Sequence, residues 1–155
     1  MVASTVRRVP EHTSPAVNAR LQSEAEARLA YYAVHPHEIE QRLRELDAEW
    51  DVERAIETEA ASTILLGLGL GWAVDRRWFL LPVFASAMLL LHNLNGAYPL
   101  LSLFRRLGLR TQGEIAAERY ALKALRGDFE RVRKGGQAGE SRLWEAFEAA
   151  RPHAP

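Results

Sequence analysis

Residues 60–74 read AASTILLGLGLGWAV and residues 78–104 read WFLLPVFASAMLLLHNLNGAYPLLSLF, with only Asp75-Arg76-Arg77 between them. A helix on the core of a small soluble domain is apolar along one stripe and polar on the opposite face. These two stretches are apolar all round, which makes lipid their expected solvent. The predicted fold class is all-α: a two-span transmembrane helical hairpin with long cytoplasmic N- and C-terminal helices.

The two legs differ in length. Ala60–Val74 spans about 22 Å at helical rise, against roughly 30 Å of hydrocarbon. Extending it back to Ala55 gives a full span and carries Glu57 and Glu59 to the membrane edge. The second stretch is long enough alone. Trp72 and Trp78 flank the turn, at the level where interfacial aromatics belong. Pro82 falls near the start of its helix, where a missing donor matters little. Asn95-Gly96 and Tyr98-Pro99 end that helix, and Leu100–Leu109 mixes leucines with Arg105 and Arg106 as an interfacial segment would.

Working outward, residues 1–18 hold two prolines and no periodicity, and are expected to be a disordered arm. Residues 19–54 are expected to form acidic cytoplasmic helices, with helix favoured over 20–34 and an interruption at His35-Pro36. No breaker follows until Gly67, so one continuous helix from Pro36 to about Val74, roughly 58 Å long, is predicted, with a kink near Thr58 as the alternative. Ile39, Leu43, Leu46 and Trp50 form an apolar seam at spacings of four, three and four. The hairpin occupies 55–104 and a basic interfacial or cytoplasmic helix 105–134. Thr111-Gln112-Gly113-Glu114 matches a capping box, which predicts a helix over about 112–126 with Gly127 as its stop. Residues 135–155 hold a glycine loop, a short amphipathic helix over Ser141–Ala150 and a frayed tail.

The chain has 155 residues and no formal net charge. That balance argues against a nucleic-acid partner. There is no Cys, which excludes disulfides, Cys-ligated zinc, iron–sulfur clusters and thiol chemistry. The N-terminus has no apolar run behind its two arginines, so it does not resemble a secretory signal. Residues 38–59 hold nine acidic side chains against three arginines, and residues 105–134 hold nine basic against four acidic. These blocks are expected to pair within the chain, between chains or with other proteins, and the basic one also to meet anionic headgroups. Arg42, Arg44 and Arg54 before the hairpin, and Arg105, Arg106, Arg110, Arg119 and Lys123 after it, place both termini in the cytoplasm by the positive-inside rule.

In a hairpin turning at Arg76, Glu59 and Asn93 are equidistant from the turn, as are Glu57 and Asn95. Glu57, Glu59, His92, Asn93 and Asn95 are therefore expected to share a polar layer at the cytoplasmic end. That layer is either a proton or ion site or a hydrated interfacial rim, and snorkelling favours the rim. No spacing of these groups defines a metal site. Gly67 and Gly71, four apart, form a GxxxG motif for close helix packing, while the overlapping Gly67-x-Gly69-x-Gly71 lacks the strand that a nucleotide loop needs. No nucleophile triad, P-loop, zinc or haem motif is present, so no catalytic residue, metal or cofactor is expected.

The run from Asp47 to Leu109 resembles the YgaP-like transmembrane family of bacterial inner-membrane proteins. The resemblance rests on Glu53-Arg54-Ala55-Ile56, the Gly/Leu-rich first span, the short turn before Trp78, and Asn95-Gly96-Ala97-Tyr98-Pro99-Leu100 followed by Leu107-Gly108. It covers about 40% of the chain. The resemblance implies a two-span hairpin, often paired into a homodimer and in some members joined to a sulfur-moving rhodanese domain. Tyr98 stands where the family often carries Cys, so no sulfur chemistry transfers.

The expected function is a non-catalytic bacterial inner-membrane protein, an oligomeric anchor or accessory subunit. Its partners would be membrane lipid and a second copy or a membrane-complex partner. Its interaction arms would carry Ile39, Leu43, Leu46, Trp50, Arg105, Arg106 and Arg110. The alternatives are a small ion or proton transport component that uses the polar layer, and a soluble helical oligomer with the hairpin as its core.

Overall fold

A computed structural model describes residues 4, 6–130 and 140–151, with the side chains of 140–143 excepted. The expected glycine loop, the frayed tail, and Arg131, Arg133 and Lys134 of the basic block lie outside the described residues. The described residues are mainly helical, as the all-α reading requires, with one isolated bridge between Asp51 and Arg110. The chain divides into two compact units, Met1–Leu21 with Trp50–Gln112, and Gln22–Glu49 with Gly113–Pro155.

The first unit holds α1 (Arg8–Glu11), the start of α2 (Pro15–Val34), α4 (Val52–Ala73), α5 (Leu80–Asn95) and α6 (Leu101–Arg106). Where the arm was expected to be disordered, Arg8–Glu11 is helical and α2 starts at Pro15. Val9 is buried with Val52, Ile56 and Leu101, and that anchor outweighs a polar, proline-bearing composition. Pro15 suits the first position of α2, where its missing N–H has no partner to lose.

The long helix is also broken, at Glu49–Asp51 rather than near Thr58. Asp51 is extended and its carboxylate accepts the Arg54 N–H at 2.6 Å, the geometry of an N-cap. The Val52 N–H then donates to the Arg110 carbonyl at 2.8 Å. A capping residue in mid-sequence offers the backbone a better bond than continued helix, so α4 starts anew there.

α4 and α5 run back to back through a 3-10 turn at Arg76–Phe79 whose cap is the Asp75 carboxylate. Gly67 and Gly71 are buried against the second leg of the same hairpin. A Cβ at Gly67 would overlap the Pro82 ring, and one at Gly71 would lie 2.7 Å from the Phe79 ring. The GxxxG face thus serves packing inside the hairpin. The helical run Arg76–Asn95 is long and apolar enough to cross a membrane; its 18-residue apolar window has a mean hydropathy of 1.4 and is 17% buried. α5 ends at Gly96, whose φ of +91° lies in the left-handed region and whose α-carbon sits against the Arg8 carbonyl. A side chain there would meet both a backbone penalty and a clash.

The second unit holds the rest of α2, α3 (Ile39–Ala48), α7 (Gln112–Arg126, entering from the first unit) and α8 (Glu140–Ala150). The interruption at His35-Pro36 is a 3-10 turn over Pro36–Glu38. α7 has the bounds that the capping box predicts, and Gly127 follows it with a φ of +88°. Ile39, Leu43 and Leu46 form the core with Ile115 and Leu122, flanked by Leu29 and Tyr32.

Candidate functional site

The hairpin supplies the first candidate. Glu59, one turn before Thr63 on α4, accepts a hydrogen bond from the Thr63 hydroxyl at 2.8 Å. Its other oxygen accepts from the Tyr98 hydroxyl. Tyr98 is delivered by the chain after Gly96, and its ring meets the edge of His92 at 5.9 Å. His92 is buried; its Nδ1 faces the Gly96 carbonyl at 3.2 Å and its Nε2 has no hydrogen-bond partner. Beside Glu59 and Tyr98 opens a cleft of about 400 Å³, walled by Leu66, Leu81, Phe84 and Met88.

The expected polar layer is thus regrouped. Glu59 and His92 come together through Tyr98. Glu57 and Asn93 are exposed, and Asn95 caps its own turn by accepting the Ala97 N–H at 2.9 Å. The Asn93 carbonyl accepts from the Arg8 guanidinium at 3.2 Å. Thr63 and Tyr98 were missed. Thr63 sits four residues after Glu59, a spacing that signals a shared helix face. Tyr98 left no such signal, because only the turn at Gly96 brings it back.

The second constellation is ionic. Glu118 on α7 is buried, and its carboxylate takes the Arg28 guanidinium at 3.0 Å and the Arg42 Nε at 2.9 Å. Arg42 also reaches Glu45 at 3.2 Å and Glu49 at 3.5 Å. Burial pulls the Arg42 pKa down, but the carboxylates of Glu118, Glu45 and Glu49 together outweigh it and leave the guanidinium more firmly charged. Asp47 pairs with Arg119 at 2.6 Å, and Glu40 with Arg126. The acidic and basic blocks therefore pair within the chain, in the second unit. Lys123, buried, donates to the Ala149 carbonyl at 3.0 Å and to that of Arg151, closing the end of α8. Burial lowers its pKa.

The expected interaction arms are placed mostly inside the fold. Ile39, Leu43 and Leu46 are core. Arg105 is fully buried and donates to the Asn18 side chain and the Leu109 carbonyl, both at 3.1 Å. Arg110 is buried by the bridge to Asp51. Trp50 and Arg106 stay exposed, with the Arg54 guanidinium 4.5 Å over the Trp50 ring. The seam stops at Leu46 because α3 ends at Ala48, before Trp50 can join its face.

Among the described residues no three His, Asp or Glu converge as a metal would require. The fold and site define an all-α chain with an uncovered apolar hairpin. Compared with family models, curated proteins and solved structures, it matches none.

Proposed function

We propose that this chain is a non-catalytic membrane protein, anchored by the hairpin as two spans and serving as an anchor or accessory subunit. The observation that carries the reading is the hairpin's surface. Trp72 is 88% exposed and Leu80 72%, and Leu65, Leu66, Val83, Phe84 and Leu90 are exposed around them. An exposed apolar surface on this scale needs a partner or a lipid phase. Lipid fits both faces of a helix pair whose own contacts are already made by Gly67 and Gly71. In this reading α4 enters lipid at about Ala55, with Glu59 held by neutral hydroxyls at the membrane edge and Glu57 snorkelling. Both termini lie in the cytoplasm of a bacterial cell. A resemblance to the YgaP-like family is compatible with the same topology.

The paired charge blocks shape the anchor's role. The pairs of Arg42 with Glu118, Asp47 with Arg119 and Glu40 with Arg126 stiffen the helices of the second unit and leave a partner, or a second copy, to be recognised by other surfaces. Carbonate extraction tests the reading. The chain is expected in the membrane pellet; release to the supernatant would instead favour a soluble oligomer with the hairpin as its core.

A further inference from the structure

Glu59 differs from the carboxylates that meet a guanidinium. Glu118 has two guanidinium partners and Asp47 has Arg119. Glu59 is half-buried, and its hydrogen-bond partners are the neutral hydroxyls of Thr63 and Tyr98. A carboxylate accepts at about four positions, and these two donors leave room for more. It lines a cleft of about 400 Å³, within the roughly 300–1,000 Å³ range of small-molecule sites. The rest of that wall is apolar: Leu66, Leu81, Phe84, Met88 and Leu100.

We propose that this cleft binds a lipophilic monovalent cation, an ammonium or phosphonium carried on an apolar body, with its charge against Glu59. An ionised carboxylate among apolar walls is costly unless a counter-charge joins it. A neutral hydrophobe would fill the walls and worsen that cost. A hard metal ion needs about six oxygen ligands, more than Glu59, Thr63 and Tyr98 offer. A cation on an apolar body satisfies both parts of the cleft, and the rings of Phe84 and Tyr98 add their quadrupoles. His92 stands behind Tyr98 and holds the ring that holds Glu59. The inference needs the hairpin cleft alone and not its insertion into lipid.

The test is equilibrium dialysis of the purified full chain, in mild detergent, with tetraphenylphosphonium and with neutral triphenylphosphine. Protein-free micelles set the baseline. Saturable binding at one site per chain is expected, with the cation preferred. Glu59→Gln should weaken the cation about tenfold, the factor of one lost ion pair of about 1.4 kcal/mol, and leave the neutral probe unchanged. Met88→Trp, which fills the cleft and keeps the Glu59 carboxylate, should remove both probes, and it keeps the proposal testable if Glu59→Gln fails to fold. Equal affinity for the two probes, meaning a bare apolar groove, overturns the proposal. So does cation binding that survives either variant, or no saturable binding. None of these outcomes depends on carbonate extraction, so failure here and failure of the membrane reading are distinguishable.

Discussion

Glu118 shows how a single residue can oppose the block it sits in. It is an acid within the basic block, and Arg42 is a base within the acidic one, yet these two make the buried pair. Removing one partner of such a pair leaves the other charge enclosed. Glu118→Ala should therefore cost about 3–5 kcal/mol, read by chemical denaturation. The exposed pair of Arg44 with Glu40 should be worth no more than about 1 kcal/mol by the same measurement. Glu53 gives a pH dependence. Burial raises its carboxyl above the ordinary value, against the pull of backbone donors that include the Gln112 N–H at 3.2 Å. The folded state then holds a proton that the unfolded state has released. The stability from this group is present below the unfolded pKa and is lost as pH rises through the folded one. In denaturant titrations across that acid window, wild type should lose stability relative to Glu53→Gln as pH rises; parallel curves would refute the assignment.

At the scale of elements, the local signals were uneven. α7 was legible to both ends, because the capping box and a following glycine act within a few residues. α1 was not, because its reason to fold is Val9 reaching α4 and α6, far along the chain. The break before α4 was written in Asp51, a capping residue followed by a helical run, but the spacing of Ile39, Leu43, Leu46 and Trp50 invited a longer helix. The glycines of α4 separate two effects. Gly67→Ala drives a methyl into Pro82 and should lower hairpin stability by about 1–3 kcal/mol. Gly69→Ala meets open space and should raise it by up to about 1 kcal/mol through helix propensity. Thermal melts of the two variants in detergent check the opposite signs.

For the whole molecule, the proposed insertion makes a spectroscopic claim. Trp72 and Trp78 flank the hairpin turn and are exposed, while Trp50 and Trp144 lie outside the hairpin. Brominated lipid should quench single-tryptophan variants that retain Trp72 or Trp78, and should leave one that retains Trp50 nearly unaffected. Equal quenching of all three would mean surface adsorption.

The apolar runs at 60–74 and 78–104, their turn and the all-helical class follow from sequence by itself. Continuous hydrophobicity and propensity act through neighbouring residues, and no distant contact is needed to express them. The charge blocks were also legible as blocks. Which acid meets which base was decided by tertiary structure, since α2, α3 and α7 must pack on Ile39, Leu43, Ile115 and Leu122 before Arg28 and Arg42 can find Glu118. The same holds for the cleft. Glu59 was visible as a carboxylate at the edge of an apolar run, but its hydroxyl partner Tyr98 lies 39 residues away. Only the close approach of α4 and α5 at Gly67 and the left-handed turn at Gly96 bring the two together.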